Sequence, residues 1–175
     1  MGLTNVDTRV SFDAVICRIA LMLFPDPLKA LTGMHRVVKP GGKVAVMVFS
    51  TAEKNPYHGI PLTIVRRLGK IPPPAPGKPA MFALGGQGVP EDTYKRAGFR
   101  DVIAQAISIL WTRSSTSEAI SVYKDSYAVL RENMAKLSDA DRELAWKEIE
   151  QQLGEFRGPN GIEVPGEVLI GVGTK

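Results

Sequence analysis

The chain has 175 residues and a mass of 19.0 kDa, the size of one domain, with the 44% hydrophobic and 23% charged composition of an ordinary globular protein. Its net charge of +4 comes from scattered Lys and Arg, which argues against a nucleic-acid partner. Cys17 is the single cysteine, so no internal disulfide can form; its longest apolar run, Ile19 to Phe24, is far too short to span a bilayer. With no leader pattern at its start the chain is expected to be cytoplasmic, and its two histidines, His35 and His58, predict no metal site.

Residues 1 to 11 carry turn-prone Gly2, Asn5 and Asp7 and read as a lead-in. Phe12 to Cys17, rich in apolar and β-branched residues, predicts a strand buried on both faces. Asp26 is a good N-cap and Pro27 suits the first helical position. Leu28, Leu31 and Val38 recur near helical spacing until Pro40-Gly41-Gly42 stops the run. Lys43 to Phe49 predicts a second strand, which completes a βαβ unit with a right-handed crossover.

From Thr51 to Val89 the texture changes. Seven prolines between Pro56 and Pro79 favour an extended loop around a short apolar, helix-like run at Leu62 to Leu68. Gly85-Gly86-Gln87-Gly88 follows no strand and so fails the requirement for a phosphate loop. Pro90-Glu91-Asp92 opens a helix that Gly98 ends, and Phe99 should pack back on the core. Val102 to Trp111 alternates as a strand, with Ile103, Ile107, Ile109 and Trp111 on one face. Two helices follow, one from Ser117-Glu118 carrying Tyr123, Tyr127 and Leu130, the other capped at Ser138. A turn at 158–161 leads to a closing strand, Val168 to Val172.

Three of these features occur together in one family. Phe12-Asp13-Ala14-Val15, Phe24-Pro25-Asp26-Pro27 and Arg36-Val37-Val38-Lys39-Pro40-Gly41-Gly42, in this order and spacing, resemble the middle of class I S-adenosylmethionine-dependent methyltransferases of the small-molecule and quinone group. The resemblance implies an α/β fold: part of a Rossmann-like methyltransferase sheet, strands four to seven in the order four, five, seven, six, with the last pair antiparallel. Residues 1–175 would form one truncated domain, with a Pro-rich lid at 51–89 and a helical insertion at 114–158. Family members hold the cofactor mainly on a glycine-rich loop after the first strand and an acidic residue ending the second. Neither motif occurs in these residues, so the resemblance implies the distal half of a methyltransferase.

The same resemblance names site residues. Cys17, Arg18 and Ile19, at the carboxyl end of the first strand, would line S-adenosylmethionine, largely through backbone groups. The alternative reading has Arg18 simply capping the strand in solvent. Asp7 would be a remnant of the adenine border. Tyr57, His58, Met81 and Phe82 would face a small-molecule acceptor, against the plainer reading of loop packing. No catalytic side chain is singled out. Without its usual neighbour the strand Phe12 to Cys17 becomes a pairing edge, which predicts a homodimer joined there or a second chain supplying the first half. The function expected is that of a methyltransferase impaired as an isolated chain, the alternative a noncatalytic remnant or oligomerising module.

Overall fold

The computed structural model describes residues 11–175, so the reading of Asp7 lies outside the described residues. β1 (Phe12–Arg18) and β2 (Val38–Phe49) run parallel, joined by a 3₁₀ turn at Leu21–Leu23 and helix α1 (Pro27–Val37). After β2 come α2 (Pro56–Leu68), α3 (Val89–Arg96), β3 (Arg100–Arg113), α4 (Thr116–Ser126), α5 (Ala128–Met134), α6 (Asp139–Gly154), β4 (Arg157–Gly158) and β5 (Gly161–Thr174). The sheet order is β1-β2-β5-β3, the four, five, seven, six order expected from the resemblance. β5 is antiparallel to β2. It also opposes β3, since Gly161 abuts Arg113 while Gly166 abuts Ile109 and Trp111.

The chain divides into two compact units. One holds residues up to Thr51 with Pro74–Ile107 and Glu167–Lys175; the other holds Ala52–Pro73 and Ser108–Gly166.

In the first unit α1 starts where its cap predicts, with Asp26 Oδ1 accepting from the Lys29 N–H at 2.8 Å. It buries Leu31 and Met34. Pro40-Gly41-Gly42 does not separate helix from strand as expected, because β2 already begins at Val38. The extra residues are absorbed as an irregularity in the β1–β2 register between Phe12 and Ala14. Gly41 takes φ +81° there, and the bulge is clipped by Gly41 N–H to Lys175 O and Lys175 N–H to Gly42 O, both 3.0 Å. Val44, Val46 and Val48 then alternate into the core. α3 packs on β5 because Gly171 and Gly173 leave room for it: a Cβ at Gly173 would lie 2.7 Å from the Tyr94 ring. Buried Tyr94 fills that room, its hydroxyl donating toward Gly171 O at 2.9 Å and Val44 O at 3.2 Å. Phe99 is 5% exposed, as its position after Gly98 predicts.

In the second unit the sequence reading needs correcting at several points. The helix-like run expected at Leu62 to Leu68 is helical but begins earlier, at Pro56, so Tyr57 and His58 stand on α2 and not in an extended loop. Pro56 sits at the first helical position, where no donor is lost. Pro61 does lose one: it cannot donate to the carbonyl four residues back, that of Tyr57. The Tyr123 hydroxyl donates to that carbonyl instead. A proline is tolerated here because a tertiary hydrogen bond replaces the helical one. Tyr123→Phe should therefore cost about 1–3 kcal/mol by stranding a buried carbonyl, and Pro61→Ala, which restores the N–H, should recover part of it. Denaturant unfolding of the two single variants and the double variant measures this coupling, and additive losses would contradict it.

The insertion holds three helices, not two, because the expected first helix breaks at Tyr127 (φ −98°, ψ +78°). Its start also lies earlier than Ser117. Ser115 caps the Glu118 N–H at 3.1 Å, and Glu118 accepts in return from Ser114. The Ser138 cap is as expected, with Ser138 Oγ 3.1 Å from the Asp141 N–H. The alternation of β3 shifts along the strand: Ile103 is 65% exposed while Ile107, Ile109 and Trp111 are half-buried. Among the described residues no helix is long and apolar enough to cross a membrane.

Candidate functional site

The first unit presents the carboxyl ends of two parallel strands, where open α/β sheets place ligands. β1 ends in Cys17, buried, and Arg18, exposed. Burial pushes the Cys17 thiol up from its ordinary value, while backbone hydrogen bonds from Leu21 and Ala20 work the other way. Burial thus disfavours its thiolate form. Ile19 follows with φ +50°, a left-handed conformation that a β-branched residue adopts only under constraint. The constraint is visible: the Ile19 N–H donates to Met47 O at 2.8 Å, and the chain turns at once into the 3₁₀ segment, Leu23 N–H donating to Ala20 O. This strained backbone lies immediately beyond a strand end. Nothing in the residue types announced it.

β2 ends beside it in Phe49 and Ser50, both nearly fully buried, with the Ser50 N–H held by Glu167 O at 3.1 Å. The loop 80–85 closes over this end. Ala80 N–H donates to Met22 O at 3.1 Å, and Phe82 stands edge-on to Phe49 with ring centres 6.3 Å apart. Gly85 lies so close to β2 that an added Cβ would fall 2.1 Å from Ser50 O. The closeness of Gly85 to β2 is a tertiary fact that the glycine run 85–88 does not show by itself. Cys17, Arg18 and Ile19 thus form one strip, and Met81 and Phe82 belong to the same unit.

Tyr57 and His58 sit in the second unit in a cluster of rings. Tyr57 stacks on Trp111 (5.3 Å, 10°), and His58 stands edge-on to Trp111 (5.0 Å) and Tyr127 (5.3 Å). The Arg113 guanidinium lies 5.3 Å from the centre of the Tyr57 ring. Both His58 ring nitrogens are buried, and that burial, assisted by the Arg113 charge, lowers its pKa to about 4, so the ring is neutral at physiological pH. Tyr57 is 2% exposed. Its hydroxyl and that of Tyr123 are pushed up by burial and stay protonated.

What the strand-end strip can do follows from its groups. It offers backbone N–H and C=O groups, one cation and a covering ring, and no side chain poised to move a proton. It can hold and orient. The cation at Arg18 and the left-handed backbone at Ile19 lie side by side at the end of β1.

Residues 5–46 match the model of the methyltransferase domain family. Over that stretch the chain resembles methyltransferase domains. Among curated relatives, the ubiquinone/menaquinone biosynthesis C-methyltransferase UbiE of Geobacter sp. (strain M21) is 38% identical over 63 residues, 34% of this chain and 27% of that protein. UbiE of Coxiella burnetii is 36% identical over 64 residues, again 34% of this chain and 26% of the relative. The match thus spans about a quarter of the length of these curated relatives. Two solved structures share the fold at low identity. A methyltransferase-type protein from Bacillus halodurans C-125 superposes with a TM-score of 0.50 at 15% identity, over 99% of this chain and 73% of that one. The YcgJ protein from Bacillus subtilis gives 0.51 at 16% identity, over 99% and 67%.

Proposed function

We propose that the chain takes part in S-adenosylmethionine-dependent methyl transfer to a small molecule, supplying the acceptor side of the site, and that it is impaired as an isolated chain. The observation that carries this reading is Ile19, held left-handed at the carboxyl end of β1 inside the stretch that matches the methyltransferase model. When bound, the sulfonium donor supplies an activated methyl group for in-line displacement. Arg18 and the Ile19 backbone orient its amino-acid end, and Met81 and Phe82 cover the strand ends and exclude water. Such chemistry gains most from proximity and orientation, which suits a site without a titrating side chain.

Impairment is inferred from motif content. The 175 residues contain no glycine-rich strand–loop–helix and so lack the contacts that carry most cofactor affinity in the resemblance. β1 stands at one end of the sheet order with Ile16 80% and Phe12 44% exposed, an edge suited to a second copy or to a chain bearing that motif. Titration calorimetry with S-adenosylmethionine, run beside sedimentation, tests both points. Expected are millimolar or weaker binding to the chain alone and a concentration-dependent mass. Micromolar binding would contradict impairment, and a monodisperse monomer at micromolar concentration would remove the edge-pairing proposal.

A further inference from the structure

Within the first unit a cleft of about 620 Å³ opens between the start of α1, the loop before α3 and α3 itself. That is the volume of a small-molecule site. Its floor is closed by Met22, Leu84 and Thr93, each under a tenth exposed, and its walls are apolar: Phe24, Leu28 and Val89, the last 36% exposed. The charges on its rim are committed unequally. Asp26 accepts from the Lys29 N–H as the cap of α1. Asp92 and Arg96 pair with each other at 3.6 Å, one turn apart on α3. Lys78 is exposed and, among the described residues, has no carboxylate within ion-pair distance. An apolar cavity with one uncommitted cation at its mouth complements a ligand with an apolar body and one anionic group.

We propose that this cleft binds a small amphipathic acid, its apolar body against Phe24, Leu28 and Val89 and its carboxylate at Lys78. The inference rests on the methyltransferase reading only in taking that acid to be the acceptor; binding itself needs no donor. Dispersion and apolar burial supply affinity through the walls, and Lys78 supplies the preference for an acid over a neutral analogue.

Titration calorimetry without S-adenosylmethionine, using 1-hydroxy-2-naphthoate and its uncharged methyl ester as probes, tests the proposal. Lys78→Glu, at an exposed loop position, should weaken the acid about ten-fold and leave the ester within about two-fold. Val89→Trp should weaken both by filling the cavity. Equal binding of the acid to the wild-type and Lys78→Glu chains, or no binding of either probe to the wild type at about 1 mM, would overturn it. Lys78-dependent binding of the acid, with the Arg18 and Ile19 amides unmoved by S-adenosylmethionine at any soluble concentration, would leave this site standing and sink the cofactor strip at the end of β1, so the two failures are distinguishable.

Discussion

Gly85→Ala should unfold the protein's candidate site at a cost of about 3 kcal/mol or more, a fall in melting temperature of roughly 10 °C for a chain of this size. The added methyl group would sit 2.1 Å from Ser50 O, 2.4 Å from its carbon and 2.8 Å from Phe49 O. No rotamer change relieves this contact, because every atom it meets is backbone. Nor can the backbone step aside easily. Ser50 is 2% exposed, its N–H is bonded to Glu167 O, and Phe49 is paired in register with Val168 of β5. The loop must lift off the carboxyl end of β2, so any binding there should be lost together with the stability. Gly33→Ala is the contrasting substitution. Gly33 lies inside α1 with nothing within 4 Å of its Cβ position, so the same added atom should stabilise by about 0.5–1 kcal/mol through helix propensity alone. Thermal melts of the two variants should therefore move in opposite directions, and a Gly85→Ala melt within about 2 °C of wild type would refute the packing described for loop 80–85.

The second large effect is a loss of stability in mild acid traceable to His58. In the folded chain burial holds its pKa near 4, whereas its ordinary value is 6.5. The folded state therefore favours the neutral ring, and the unfolded state binds the extra proton between those two values. Stability from this group is complete above about pH 6.5, declines as pH falls and is fully lost below about pH 4. At 1.36 kcal/mol per pH unit the loss is about 3 kcal/mol. Carboxylates titrate in part of the same range, so the informative quantity is the difference between the wild type and His58→Gln. The wild-type free energy of unfolding should fall more steeply between pH 6.5 and 4 by that amount, and equal slopes would show that the ring is not buried in the aromatic cluster.

Local signals carried the first unit well. Asp26 and Pro27 placed the start of α1, and the β-branched runs placed β1 and the core of β2. The motif resemblance supplied a strand order that no local pattern could. Elsewhere a long-range partner overrode the local rule. Prolines 56 and 61 argued for a loop, yet the first costs nothing at a helix start and the second is compensated by Tyr123, 62 residues away in sequence. Pro40-Gly41-Gly42 read as a helix stop and became a strand irregularity, because Lys175 at the far end of the chain bonds to both glycines. Tyr127 broke an apparently continuous helix, and its ring packs edge-on to His58. The site shows the same division. The family resemblance singled out Cys17, Arg18 and Ile19, and the structure puts them at the carboxyl end of β1. The left-handed backbone of Ile19 and the fit of Gly85 against Ser50 depend on contacts that a linear pattern does not encode.

The most direct test of the central claim is an amide-resonance titration of the isotope-labelled chain with S-adenosylmethionine, which reports position and affinity together. The account predicts weak, millimolar-range binding with shifts concentrated at Arg18, Ile19, the 3₁₀ turn at Leu21–Leu23 and Ser50. Saturable shifts elsewhere with these amides unmoved, or none at all at the highest soluble concentration, would contradict the assignment of the β1 carboxyl end as the cofactor strip.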